Sequence, residues 1–342
     1  MLDTLKIHTR DFTVKDRARV SVQPGLVDYE TGEQREVSLF KDDFGRDVYG
    51  SKAFVNTERY NLTIRPMGAG VELFLQTSLP KTIHEDNYTP LTNSETVQAV
   101  GVIGQDLRSR GIGLNLDACE LSRVDLFKNV IGDNDFLSYS PLFDLLQSKR
   151  QHKRDYGTTF TWSNTQREIC AYDKLTEMQS RGVKVGGYPQ NTIRFEYRLK
   201  NSRVCERELK VSKVKDLVNN LDDLQKKYRD ALSKSIFSLR VDDINILASQ
   251  ELQYSMQFYA SQYGDTWFSR FLRDIGAYHV ASLAGDEVVK VVLACVIGDR
   301  VKLWRAIKFF EDAKRDFEMS TRVDGVKTLA DLYDELQSKV IG

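Results

Sequence analysis

The sequence predicts an α+β fold, a largely antiparallel sheet with flanking helices, followed by an all-helical C-terminal domain. Three observations lead there. All six prolines (Pro24, Pro66, Pro80, Pro90, Pro141 and Pro189) precede residue 190. Proline inside a helix costs about 3 kcal/mol, so the proline-free remainder is where long helices fit. Within it, Leu217, Leu221, Leu224, Tyr228, Ala231 and Leu232 recur at the three- and four-residue spacing of one helix face. The first two thirds instead hold short runs of β-branched and aromatic residues set off by turn residues.

Taken in order, RYNLTIRP (59 to 66) and GVELFLQTSLP (70 to 80) flank Met67-Gly68-Ala69-Gly70 and predict a hairpin. Asn93 or Ser94 is placed to cap a helix bearing Val97, Val100, Ile103 and Leu107, which stops near Gly111. Next come LSRVDLF (121 to 127) as a strand, a short helix in SPLFDLLQSK, and the strands GTTFTWS, REICAYDK and TIRFEYRLK. Gly182, Gly186, Gly187 and Pro189, between the last two strands, are turn chemistry rather than a phosphate-binding motif. Thr328-x-x-Asp331 reads as a capping signal before Leu329, Leu332, Tyr333, Leu336 and Val340. Two domains are expected, an α+β domain over 1–207 and a helical one over 208–342.

Composition narrows the class. Lys plus Arg equal Asp plus Glu at 49 each, so no global field draws the chain to nucleic acid and any polyanion site must be local. With 41% hydrophobic and 29% charged residues, the chain is expected to be globular. Cys119, Cys170, Cys205 and Cys295 form no CxxC pair, which argues against zinc and redox motifs and for reduced, partly buried thiols. VVKVVLACVI (288 to 297) contains a lysine and falls short of the roughly 20 residues that span a bilayer. The start, MLDTLKIHTRDF, interrupts its apolar residues with charges and does not read as a signal peptide. A soluble cytoplasmic protein without a membrane partner is expected.

Three strands place charges two residues apart on one face: Arg123 and Asp125; Tyr172 and Lys174; Arg194, Glu196 and Arg198. Glu177 stands in position to close the group from a strand end. One reading is a solvated sheet face laced by ion pairs worth roughly 0 to 1 kcal/mol each. The other is a site. Two or three carboxylates make an oxygen-rich place for Mg²⁺ or Mn²⁺, which polarises phosphate oxygens. Tyr172 would then attack, with Lys174, Arg123 and Arg194 lowering the pKa of its phenol and neutralising the transition state. The run SKRQHKRD (148 to 155) offers Lys149, Arg150, Lys153 and Arg154 as a phosphate-binding stripe, and Trp162 is placed to stack an unpaired base.

SRVD (122 to 125), TFTWSNTQREICAYDKLTE (159 to 177) and IRFE (193 to 196) resemble, in that order, the motifs of the replication initiators of filamentous bacteriophages. The opening MLDTLKI is similar too. The resemblance spans roughly residues 121 to 200 and implies rolling-circle replication. By it, Tyr172 attacks a phosphodiester of supercoiled origin DNA, leaving a 5′-phosphotyrosine and a 3′-hydroxyl that primes a host polymerase, and the enzyme later rejoins the ends. A resemblance to related plasmid initiators implies a metal on Asp125, Glu177 and Glu196, and the partners implied are origin DNA, displaced single strand, host helicase and polymerase, with a homodimer allowed. The His-hydrophobic-His metal motif of many rolling-circle nickases is absent, since His8, His84, His152 and His279 are scattered. Two other readings stay open: a plasmid mobilisation relaxase with the same tyrosine chemistry, and an origin-binding regulator whose tyrosine is structural.

Overall fold

The computed structural model describes residues 2–24, 26–27, 34–35, 37–84, 86–239, 256, 258–321 and 329–342. The chain divides into two compact units, Met1–Ser238 with Glu335–Gly342, and Leu239–Asp334. The boundary expected between 207 and 208 therefore moves to the far side of Ser238.

The first unit is built on a ten-stranded sheet. Its strands are β1 (Leu2–Thr9), β2 (Ser21–Gln23), β3 (Lys52–Asn56), β4 (Tyr60–Met67), β5 (Gly70–Ser78), β6 (Glu120–Ile131), β7 (His152–Asp155), β8 (Thr159–Ser163), β9 (Arg167–Asp173) and β10 (Thr192–Leu199). They lie in the order β7-β8-β9-β10-β6-β1-β5-β4-β3-β2, and every neighbouring pair is antiparallel. The expected hairpin is β4–β5, turning at Gly68, whose φ of 58° suits glycine at the first position of a two-residue loop.

The helices of this unit are α1 (Leu79–His84), α2 (Asn93–Ser109), α3 (Ser140–Leu145), α4 (Lys174–Ser180), α5 (Ser202–Leu209), α6 (Val214–Asn219) and α7 (Leu221–Ser233). The cap of α2 is Thr92 rather than Asn93 or Ser94: its hydroxyl accepts from Glu95 N while the Glu95 carboxylate accepts from Thr92 N, a complete capping box. Helices α5 and α7 pack on β6, and α7 also on β10, which is why they belong with the sheet. Leu224, Tyr228 and Leu232 are the buried stripe of α7, and the Tyr228 hydroxyl donates to Phe195 O in the strand beneath. On this side of the sheet the core is aromatic, with Phe143 in ring contact with Phe136, Phe160, Trp162 and Phe195.

In the second unit, α8 (Trp267–Ala284), α9 (Asp286–Val296) and α10 (Arg300–Thr321) bear out the helical reading; α11 (Leu329–Ile341) begins in that unit and from Glu335 belongs to the first. Thr328 of the proposed capping signal lies outside the described residues. Among the described residues, no helix is long and apolar enough to cross a membrane. The four cysteines are free thiols, three buried and Cys295 exposed.

Candidate active site

Pairing register builds the site. Tyr172 lies opposite Arg194, Cys170 opposite Glu196 and Glu168 opposite Arg198, while β10 faces β6 through Asp125 opposite Arg198 and Asn129 opposite Arg194. Cross-strand partners point to one side of a sheet, so these charges gather on the face turned away from the aromatic core. This face is not the solvated surface that alternating charge also allowed. Arg194 is 0%, Asp125 2% and Glu196 3% exposed. Buried charges are tolerated only when paired and hydrogen-bonded, and these are.

Tyr172 is 7% exposed, and its hydroxyl donates to Glu196 Oε1 at 2.5 Å. Burial, joined by the Glu196 charge and partly opposed by Arg194, holds the phenol well above its ordinary pKa. The expected lowering by Lys174, Arg123 and Arg194 is thus corrected: desolvation and an adjacent carboxylate outweigh the cations. The other Glu196 oxygen is gripped by Arg198 Nε at 2.7 Å and Nη2 at 2.6 Å. Burial works to raise the pKa of Glu196, but Arg198 and Arg194 prevail and keep it below the usual value.

Lys174 departs from the strand assigned to it. The strand stops at Asp173, whose carboxylate accepts from Leu175 N and Thr176 N and so caps α4. Lys174 opens that helix fully buried, with Nζ 2.7 Å from Glu177 Oε2, 2.8 Å from Asn87 Oδ1 and 6.0 Å from the centre of the Tyr172 ring. Burial and then Arg194 lower its pKa.

Arg194 lies 4.0 Å over the Phe127 ring and donates from Nε to Asn129 Oδ1 at 2.7 Å and from Nη2 to the Asn87 and Tyr88 carbonyls. Its Nη1 has no hydrogen-bond partner and stands 3.9 Å from both Asp3 Oδ2 and Glu196 Oε1. Arg123 forks onto Asp125, Nε to Oδ1 at 2.8 Å and Nη2 to Oδ2 at 2.7 Å. Burial pushes Asp125 up to about 6 against the pull of Arg123.

Asp3 was missed by the sequence reading, and the reason is a β-bulge. Leu2 pairs with Leu126 and Leu5 with Val124, so β1 holds one extra residue between them. By alternation Asp3 would share the side of Leu5 and Ile7; the bulge turns it to the Asp125 side. The only sequence signal was an acid between two leucine-bearing positions of a strand of mixed polarity. Burial first, and then the Glu196 charge, raise its pKa.

A cleft of about 350 Å³ is lined by Tyr172, Glu196, Asp125, Asp3, Arg123 and Arg198, among others. Among the described residues, no three His, Cys, Asp or Glu side chains are grouped to hold a metal ion unaided. A Mg²⁺-type ion does not require such a cage, since it commonly takes one or two carboxylates together with substrate phosphates. Asp125 and Glu196, both on the cleft, are the pair such an ion would use, alongside the arginines that already hold them. Glu177, expected in the metal set, does not line the cleft and is instead tied to Lys174 and to Arg181 Nη2 at 2.6 Å.

Of the expected DNA contacts, Trp162 is corrected. It is 0% exposed, donates from Nε1 to Leu146 O at 2.9 Å and packs among Phe143 and Phe160, so no base can reach it. Trp162→Ala should therefore cost about 3 to 5 kcal/mol of stability, read from the urea unfolding midpoint. The basic stripe divides. His152–Asp155 is the edge strand β7, where Lys153 pairs with Trp162 and Arg154 with Thr161, so the two side chains leave on opposite faces. Lys153 Nζ binds Asp144 Oδ1 at 3.1 Å, Arg154 is exposed on the Tyr172 face, and Lys149 and Arg150 are exposed in the loop before the strand.

Compared with known families, residues 71–219 match a family model that describes the N-terminal part of a phage replication-associated protein, the gene II protein. The match supports a rolling-circle replication initiator of the filamentous-phage gene II type. No curated protein matches the chain.

Proposed function

We propose that this initiator nicks one strand of origin DNA through Tyr172, forming a 5′-phosphotyrosine, and reseals the strand by the reverse reaction in the host cytoplasm. The observation that carries the reading is the Tyr172 hydroxyl donating to Glu196 Oε1 at 2.5 Å beside a cleft rimmed by Arg123 and Arg198. A nucleophile within hydrogen-bond reach of a carboxylate that another group orients is the geometry of an activated hydroxyl.

The phenol oxygen would attack phosphorus as its proton passes to Glu196. The bond from phosphorus to the 3′ oxygen breaks, and that oxygen leaves as the 3′-hydroxyl after taking up a proton. A phenol with a raised pKa facing a carboxylate with a lowered one does not ionise in advance, so proton transfer accompanies attack. Arg123 and Arg198 face the charge on the phosphoryl oxygens, and Arg194 and Lys174 keep the carboxylates and the phenol in place from below. A Mg²⁺ or Mn²⁺ ion, held by Asp125 and Glu196 together with the substrate phosphate, would supply further polarisation of those oxygens.

Supercoiled origin DNA incubated with the protein and Mg²⁺, then denatured, tests the reading. A protein covalently attached to a 5′ end supports it; binding without an adduct would leave an origin-binding regulator. Acidity gives a further check. The adduct rate should fall below pH 6 as Asp125 takes up a proton and frees Arg123, and Asp125→Asn should flatten that limb. Stability runs the other way. An acid whose folded pKa is raised contributes fully below its unfolded value, and the contribution fades as pH climbs through about 6.

A further inference from the structure

A second cavity, of about 530 Å³, lies on the opposite face of the sheet from Tyr172. Its floor includes the cross-strand partners Ile169 and Tyr197, whose side chains alternate away from Cys170 and Glu196. Its wall includes Ala231 of α7. Around it stand five cations, Lys149, Arg150, Arg167, Lys227 and Lys234, against two carboxylates, Glu208 and Asp230. On a chain of zero formal charge this is a local excess of positive field. Glu208 is already engaged by Arg167 Nη2 at 2.5 Å, and Arg167 Nε is buried without a partner. Among the described residues, no carboxylate pairs with Lys149, Arg150 or Lys234. Arg150 is held at a φ of 62°, a conformation rare outside glycine, while Asn164 Nδ2 donates to its carbonyl at 3.1 Å.

We infer that this cavity seats the backbone of an unpaired DNA strand beside Ala231, its phosphates on Lys149, Arg150 and Lys234. The inference rests on the initiator reading for the kind of polymer, and on this cavity alone for the place. A cationic rim that tracks a backbone without reading its bases is the chemistry of sequence-tolerant single-strand binding. The volume falls within the roughly 300 to 1,000 Å³ of small-ligand pockets.

The test is fluorescence anisotropy with a labelled oligothymidylate of about a dozen nucleotides, without divalent cation, over a range of salt. The Lys149→Ala, Lys234→Ala double variant should bind five- to tenfold more weakly, with a salt slope smaller by about 1.4, at about 0.7 per phosphate contact in single strands. Ala231→Phe, which fills the cavity from its wall, should weaken binding and leave the slope unchanged. Wild-type affinity and slope in the double variant would overturn the assignment, whatever Ala231→Phe does. Displacement of the oligonucleotide by an equal concentration of thymidine monophosphate would also overturn it, by marking a mononucleotide pocket. A wild-type protein that binds no oligonucleotide would overturn it too, while the initiator reading stands or falls separately on the origin-DNA adduct.

Discussion

Tyr172→Phe is expected to remove the covalent protein–DNA adduct and to lower nicking by roughly 10⁴-fold or more, the scale that follows loss of a nucleophile. The change deletes one oxygen and leaves the ring in its place among β8, β9 and β10. Glu196 Oε1 loses its hydrogen-bond donor, which costs about 1 to 3 kcal/mol for a buried acceptor left unsatisfied. Its other oxygen keeps both bonds from Arg198, so the strand register and the cleft should survive. The expected combination is a protein that melts cooperatively a few degrees lower, still binds origin DNA, and forms no adduct on a denaturing gel. An adduct of undiminished yield would show that another side chain attacks.

Arg194→Ala should have the largest effect on stability. Its guanidinium is fully buried, bridges Asn129 to the segment at Asn87 and Tyr88, and stands 3.9 Å from both Asp3 and Glu196, the latter also held by Arg198. Removing one side of a buried charge group typically costs about 3 to 5 kcal/mol, because the partner charges stay behind unpaired. Against the roughly 5 to 15 kcal/mol that holds a typical domain together, that is a large fraction, and partial unfolding at 37 °C is expected. Urea denaturation at several pH values checks it. With Arg194 gone, Asp3 favours its protonated form more strongly while Glu196 keeps Arg198, so the deficit should shrink between pH 7 and pH 5. A loss under about 1 kcal/mol, the surface-pair scale, would mean that the acids are held some other way.

The fold class was legible because alternation and helical spacing are local signals. The β4–β5 hairpin, the helix after Thr92, the three strands ending in TIRFEYRLK and the helical C-terminal region all follow from neighbours within a dozen residues. The charged face was legible for the same reason, since Arg194, Glu196 and Arg198 alternate along one strand. Its burial was not, because exposure depends on what covers a face. The segment at Asn87 and Tyr88, far away in sequence, closes over Arg194 and Lys174. Trp162 failed as a base platform on the same ground. A tryptophan one strand from the tyrosine looks alike on either face, and position 162 points to the side where α3 and α7 pack.

What the sequence determined alone was the chemistry available: one strand with Tyr172, another with alternating arginine and glutamate, and an acid beside an arginine in SRVD. Tertiary structure decided which of these groups meet. It inserted the N-terminal strand between β5 and β6, bulged it to turn Asp3 inward, ended β9 one residue before Lys174, and sent Lys153 and Arg154 to opposite faces. Each decision depends on strand order and register, which are set by long-range pairing and burial, and a shift of one residue reverses the side on which every side chain appears.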